Sequence, residues 1–348
     1  MQLNHKQKYL APASICMLVI LGIVWFYFFS SLSTKDDTHY LYVDNDDNVD
    51  SVCAKLEPYS SSHSMAAFRM LLRHSSYAKH IHTGRYAIEK GESTFKLFRY
   101  IKNGHQYPVN LTIPSVRTID KLAGEISQKL MMDSTMLYKA LTNEEVCQKL
   151  GYDTTTIAAL FIPNTYEIYW NISIDEFLDK MSKENKRFWN FERTQKAQQM
   201  GLTPIQVTTL ASIVDEETAN NSEKPMIAGM YYNRLMLRNA KYPGGMPLQA
   251  DPTIKFALKQ FDLHRIYTNM TFIKSPYNTY RNPGLPPGPI RIPSVAGIDA
   301  VLNHVHHQYL YMCAKEDFSG THNFAITYDE HMKNAAKYAK ALNKRGIK

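Results

Sequence analysis

Apolar and polar positions follow three different patterns along the chain, and each predicts a different kind of element. From Ala11 to Phe29 there is no alternation: APASICMLVILGIVWFYFF runs nineteen residues without a charge. At about 1.5 Å per helical residue, such a run comes close to spanning the roughly 30 Å hydrocarbon core of a bilayer. A transmembrane anchor is therefore expected over residues 11–31. Lys6 and Lys8 precede it, and Asp36 and Asp37 follow it. That asymmetry predicts a cytoplasmic tail over 1–10, a single pass through the cell inner membrane, and the rest of the chain on the extracytoplasmic side. Trp25, Phe26, Tyr27 and Phe28 fall toward the outer interface, where aromatic residues gather. A cleaved signal would have a shorter apolar run ending in small residues, and WFYFFSSLS offers no such site.

Beyond the anchor, residues 32–39 read as a polar stalk, leading through THYLYVD into a strand. SMAAFRMLLRHSS (64–76) has helical apolar spacing, and GRYAI (84–88) reads as a short strand. GEST then gives a turn and a helix start, with Ser93 or Thr94 as cap for FKLFRYIKNG and Gly104 as its stop. QYPVNLTI alternates as a strand, and SVRTIDKLAGEISQKL returns to helical spacing. This predicts a small α+β module over 40–132. From about residue 150 the helical period dominates, in IDEFLDKMSKENKRFWN, TPIQVTTLASIVDEET and NSEKPMIAGMYYNRLMLR. A Pro-, Tyr- and Asn-rich stretch from His264 to Pro293 carries few helix signals, and irregular stretches of that length are usually functional or disordered. YLYMCA and HNFAIT read as strands before a last helix, YDEHMKNAAKYAKALNKR. The expected fold is α+β, with a mainly α region over 133–348.

The helix predicted for TPIQVTTLASIVDEET ends in three carboxylates, where the helix dipole makes acids mildly unfavourable. On a wheel at 100° per residue, Val207, Leu210, Ala211, Ile213 and Val214 form the buried stripe. Glu217 lies at i+7 from Leu210, i+4 from Ile213 and i+3 from Val214, on the edge of that stripe. Asp215 is farther round, and Glu216 points nearly opposite, as an ordinary solvated acid. An acid against an apolar wall loses hydration and its pKa rises. A carboxyl group kept protonated near neutral pH can act as a general acid, which cleavage of a glycosidic bond requires. The same wheel also fits an acid at a frayed helix end, capping the turn at ANNS.

Charge and cysteines narrow the field. The net charge of +8 is spread along the chain, which suits an acidic polymer or a membrane surface rather than nucleic acid. Besides Cys16 there are Cys53, Cys147 and Cys313, without metal spacing; one disulfide is allowed and the sequence does not choose the pair. HVHHQ (304–308) has the wrong period for a single-face metal pair, and no metal or cofactor is expected. There is no GxSxG, P-loop or Cys/His nucleophile arrangement.

Polar clusters are dense in the second half: YYNRL (231–235), LQADPT (248–253), SPYNTYRNPGLPPGPI (275–290) and HNF (322–324). Amide, phenol and guanidinium groups suit sugar hydroxyls and acetamido groups, and tyrosine rings give apolar faces for pyranose stacking. Gln249, Tyr277, Asn278 and Tyr280 are candidates for lining a cleft, unless their hydrogen bonds merely fix the loop. Asn233 and Arg234 lie on the next helix, where Arg234 orients a ligand or makes a structural salt bridge. His322 and Asn323 are further candidates. Asp251 is the candidate second carboxylate, or the cap of a helix starting before Pro252.

In this order, IVDEET, NRL, LQADPT, YNTY followed by GLPPGPI, and HNF resemble the YceG-like family of MltG-type endolytic murein transglycosylases. The resemblance implies a membrane anchor, a LysM-like subdomain, to whose opening DNVDSVCAKLEPYSS is similar, and a lysozyme-related, mostly α catalytic domain. It places the catalytic acid at Glu217, with Gln249, Asp251, Tyr277, Asn278, Tyr280, Asn233, Arg234 and Asn323 as substrate-binding candidates. Asp215 stands where the family often has glutamate, and Glu216 where lysine is common. Ala250 replaces a frequent hydroxyl residue, and LRNAKYPGGMP makes a longer connection than usual. The implied reaction cleaves the bond between N-acetylmuramic acid and N-acetylglucosamine in peptidoglycan glycan strands, leaving 1,6-anhydro ends. The implied role is to terminate nascent strands at the cell membrane, close to peptidoglycan synthases. A glycan-binding protein without activity, a water-using muramidase and a scaffold for a synthase are the alternatives.

Overall fold

The computed structural model describes residues 5–263 and 265–345, with side chains from residue 12 onward. The first four residues of the expected tail, the side chains of Lys6 and Lys8, and His264 at the start of the irregular stretch lie outside the described residues. The chain divides into two compact units. The first runs to Leu111 and adds Gln128–Met132 and Tyr166–Ile172; the second takes Thr112–Ser127, Asp133–Thr165 and everything from Ser173. Met132, after which a boundary is expected, ends one segment of the first unit.

The first unit begins with α1 (His5–Val24), which continues as a π-helical turn over Trp25–Phe29. The stretch Pro12–Phe29 has a mean hydropathy of 2.2, with none of it buried, and is long and apolar enough to cross a membrane. Next come β1 (His39–Val43), α2 (Val49–Leu56), α3 (Ser62–Arg73), β2 (Gly84–Ile88) and α4 (Thr94–Lys102). The strands pair antiparallel, Val43 opposite Gly84 and His39 opposite Ile88. Period-two alternation sends Leu41, Val43, Tyr86 and Ile88 inward against Val52, Leu56, Phe68, Leu72, Leu97 and Ile101. Asn48 and Ser51 close a capping box on α2, and Ser93 caps α4. Leu32, expected in a polar stalk, is instead fully buried in this core. Its N–H donates to the Glu92 carbonyl at 2.7 Å, and its carbonyl accepts from Ser61 at 3.2 Å. A polar-looking stretch is drawn in because one large aliphatic side chain gains about 2 kcal/mol by leaving water. β3 (Val109–Thr112) pairs with β4 (Thr165–Ile168).

The second unit is mainly helical: α5 (Ile119–Ser127), α6 (Ser134–Leu141), α7 (Glu144–Lys149), α8 (Ile174–Phe188), α9 (Phe191–Gln199), α10 (Pro204–Glu217), α11 (Lys224–Met236), α12 (Asp251–Leu258) and α13 (Val295–Leu302). A hairpin of β5 (Tyr311–Ala314) and β6 (His322–Ala325) and the terminal α14 (Tyr328–Lys344) complete it. α10 lies at its centre. Pro204 occupies the first turn, where its missing N–H is harmless, and Thr203 and Gln206 cap it reciprocally. Val207, Leu210, Ala211, Ile213 and Val214 are wholly buried against residues of α11 and α13 such as Ile227, Ala228, Ile298 and Val301. Between 265 and 293 the chain is irregular apart from a 3-10 turn at Thr268–Phe272.

Candidate active site

The three acids at the end of α10 have separate fates. The Asp215 Oδ1 lies 2.7 Å from Lys224 Nζ, the two side chains being 4% and 6% exposed. The same carboxylate accepts from the Ser294 N–H at 2.5 Å and the Ser294 hydroxyl at 3.1 Å, at the start of α13. There the positive end of the α13 dipole adds to the attraction. Gly297 leaves room for this carboxylate; a Cβ at that position would overlap it. Glu216 is not the solvated acid expected from the wheel. Arg117 grips it with Nε at 2.8 Å and Nη2 at 2.9 Å, and Arg291 adds Nη1 at 2.9 Å. Its side chain is only 9% exposed. A wheel reports which way a side chain leaves its helix, not what residues 75 and 99 positions away bring to meet it.

Glu217 has a different environment. Among the described residues no Lys, Arg or His nitrogen makes an ion pair with it, and its Oε1 accepts a 2.6 Å hydrogen bond from the Tyr231 hydroxyl on α11. Loss of hydration pushes the Glu217 carboxyl above its ordinary value, opposed by the Tyr231 bond; the charge of Asp251 pushes it further up, and His322 and Arg234 pull it down. Tyr231 is itself buried, and burial together with the Glu217 charge holds its hydroxyl well above the usual phenol range. It therefore remains a donor at any physiological pH.

Glu217 faces a cleft of about 320 Å³. Tyr231 and Arg234 of α11, Gln249, Asp251 at the start of α12, and Tyr280 line it. Tyr311 and His322 of the hairpin and His331 of α14 close the other side. Gln249 has a left-handed backbone, φ +50°, and its N–H donates to the Thr279 carbonyl at 3.0 Å. A non-glycine residue held there costs of order 1 kcal/mol or more, which the surrounding contacts must offset. Asp251 accepts a hydrogen bond from the Tyr280 hydroxyl. It does not cap its helix: the cap position is Ala250, whose side chain makes no capping bond. Burial pushes the Tyr280 hydroxyl upward, reinforced by Asp251.

Of the candidates drawn from the sequence, Glu217, Arg234, Gln249, Asp251, Tyr280 and His322 share this cleft. Arg234 makes no ion pair among the described residues. It is 7% exposed and donates from Nε to the Leu310 carbonyl and from Nη1 to the Leu248 carbonyl, both at 2.5 Å. It ties α11 to the chain before β5 and to the loop before α12. The remaining candidates lie elsewhere. Asn233 donates to the His307 and Tyr309 carbonyls at 2.7 and 3.1 Å. Asn278 is fully buried, donates to the Thr271 and Ile273 carbonyls at 2.9 and 2.8 Å, and accepts from the Tyr280 N–H at 3.0 Å. It braces the irregular loop that presents Tyr280. Tyr277 packs on Phe256, ring centres 4.7 Å apart, beside a separate cavity of about 270 Å³. Asn323 donates to Glu316 at 2.8 Å. His322 is paired with Glu223, which takes its backbone N–H at 2.6 Å and its Nδ1 at 3.0 Å. Tyr231, Tyr311 and His331 were not singled out from the sequence. Tyr231 was within reach of it, standing three residues before Arg234 and so on the same helical face.

Residues 41–337 match the model of the YceG-like family. The chain is 27% identical over 322 residues to a Streptococcus pneumoniae protein named endolytic murein transglycosylase, a match covering 84% of this chain and 56% of that protein. A Bacillus subtilis protein of the same name is 24% identical over 314 residues, covering 86% and 84% of the two chains. The chain spans about half the length of the Streptococcus relative. The crystal structure of a YceG-like protein from Listeria monocytogenes has the same fold, with a TM-score of 0.55 at 23% identity over 86% of this chain and 99% of that one. Because the family model covers most of its length, this chain belongs to the YceG-like family.

Proposed function

We propose that the chain is a membrane-anchored endolytic lytic transglycosylase of peptidoglycan, with Glu217 as its general acid and then its base. The observation that carries this reading is the contrast at the end of α10. Two of three neighbouring carboxylates are neutralised by cations, and the third faces a cleft with a raised pKa and a phenol for a partner. The names of the relatives supply the substrate class. Protonated Glu217 gives its proton to the glycosidic oxygen as the bond from the muramoyl C1 breaks. The resulting carboxylate then accepts the proton of the muramoyl C6 hydroxyl, whose oxygen bonds to C1. One C–O bond is exchanged for another, no water is consumed, and Glu217 ends protonated as it began. Tyr231 holds the carboxyl in place through both transfers. Gln249, Tyr280 and Arg234 face the strand, and Asp251 orients Tyr280.

The apolar helix α1 supports a single-pass anchor with the cleft on the extracytoplasmic side, where newly made strands lie. Terminating those strands beside a peptidoglycan synthase is the role this placement suits. The order β1, α2, α3, β2 supports the LysM-like reading of the first unit. Digestion of purified peptidoglycan, with mass spectrometry of the products, tests the chemistry. Anhydromuramoyl ends are expected from the unaltered chain, and Glu217→Gln should lose about 10²–10⁴-fold in rate. Reducing ends would replace the lyase by a hydrolase whose water is activated by Asp251, the other carboxylate of the cleft.

A further inference from the structure

The cleft that holds Glu217 contains a hydrogen-bond donor that neither the fold nor the proton transfers use. His331 stands on the first turn of α14, which Thr327 and Glu330 cap reciprocally, and it lines the cleft. Its ring stacks on that of Tyr311, centres 5.5 Å apart and planes 25° from parallel. Among the described residues neither ring nitrogen has a hydrogen-bond partner. Nδ1 is sealed from solvent, and Nε2 is the nitrogen left open. Other donors here are already spent: Tyr231 on Glu217, Tyr280 on Asp251, and Arg234 on two carbonyls.

The difference between the two nitrogens decides where the proton sits. Burial and the charge of Arg234 hold the imidazole below its ordinary value, so it is neutral at neutral pH. Of the two neutral forms, a proton on Nδ1 would bury an N–H without an acceptor, the rarer kind of orphan. The other form leaves only a lone pair unmatched and presents a neutral N–H from Nε2. Asp251 brings a carboxylate into the same cleft, which disfavours an anionic group beside it. A neutral donor next to an aromatic ring matches an N-acetyl group: the N–H meets the amide carbonyl and the ring covers the methyl.

We infer that His331 and Tyr311 form a subsite for the acetamido group of a sugar in the cleft, with His331 Nε2 donating to the amide carbonyl. This rests on the reading of the chain as a peptidoglycan lyase, which makes N-acetylated sugars the substrate, and it makes the cleft selective for acetylated strands.

The test digests partly N-deacetylated peptidoglycan with the full chain in detergent. Mass spectrometry then counts acetylated and deacetylated sugars on either side of each new end. Their ratio is an internal competition, so it does not depend on how much of a variant is folded. The unaltered chain should cut beside acetylated sugars in excess of their share of the polymer. His331→Leu removes the donor and should reduce that preference about ten-fold, as when an acceptor is left without its partner. His331→Gln, whose amide nitrogen can donate in place of Nε2, should keep most of it. No preference in the unaltered chain, or an unchanged ratio in His331→Leu, would overturn the inference. A ratio as low in His331→Gln as in His331→Leu would refute the donor. Loss of all cleavage in both variants would assign His331 to the bond-breaking itself and equally overturn the inference. Failure of the lyase reading shows separately: reducing ends in place of anhydro ends would refute it and leave the ratio to be read.

Discussion

On one side of the last turn of α10, carboxylates meet cations at close range: Asp215 with Lys224, Glu216 with Arg117 and Arg291. On the other side, Glu217 faces Tyr231 and a cleft. The three residues are consecutive and share one backbone environment, including the unfavourable end of the helix dipole. What differs is only what the rest of the unit brings to each. Matched acids are spent on their cations, and serve to fasten the end of α10 to α11, α13 and the chain near Arg117 and Arg291. The unmatched acid keeps its proton to a higher pH because nothing nearby compensates fully for its lost hydration. A site of this kind is made as much by neutralising the neighbours as by placing the reactive group.

The largest expected effect comes from breaking the matched side. Lys224→Met leaves Asp215 charged at 4% exposure, with only the two bonds from Ser294 to hold it. Removing one partner of a buried pair costs about 3 kcal/mol or more, and the remaining bonds place this case at the lower end. Urea unfolding measures it. Adding Asp215→Asn should restore much of the loss, since no unpaired charge then remains. If the single variant is as stable as the parent, the matching described here does not hold the helix end.

A smaller effect is expected on the unmatched side. Tyr231→Phe removes the hydrogen bond that favours ionised Glu217, so the carboxyl should hold its proton to a still higher pH. The rate should fall within about ten-fold. More tellingly, the alkaline limb of the pH–rate profile, where the proton donor is lost, should move to higher pH. A limb that stays in place would mean that another group titrates there.

Much of this arrangement was legible in the sequence, for reasons that also mark where legibility stops. The helical period of TPIQVTTLASIVDEET, Ser93 before α4, and the two hairpin strands are local signals, and each element formed where those signals stood. The edge-of-stripe position of Glu217 is likewise a property of the eleven consecutive residues from Val207 to Glu217. By contrast, the fate of an amide or a phenol in an irregular loop depends on which carbonyls the loop turns toward it. Asn278 and Tyr280 are two residues apart in one motif, yet the first is spent bracing the loop and the second reaches the cleft. Leu32 shows the same limit in reverse: a composition that reads as a stalk hides one side chain with a place in the core.

The smallest expected effect tests the unmatched side through stability alone. An unfolded glutamate loses its proton near its ordinary value of 4.5, whereas folded Glu217 holds on to it longer. Between those two values the folded chain binds more protons than the unfolded chain, so stability falls as the pH rises through that window. Above the window the deficit is constant, and below 4.5 it vanishes. Glutamine cannot ionise, yet keeps an oxygen that can accept the Tyr231 hydrogen bond. Glu217→Gln is therefore expected to melt at a higher temperature than the parent at neutral pH, with the difference closing as the pH is lowered past 4.5. The variant that loses the chemistry should thus gain stability, as expected where a site is tuned for reactivity at some expense to the fold. A lower melting temperature at neutral pH, with the difference again closing at low pH, would mean that the Tyr231 bond to the ionised carboxylate outweighs the cost of its burial, and that the contrast at the end of α10 is one of geometry rather than charge.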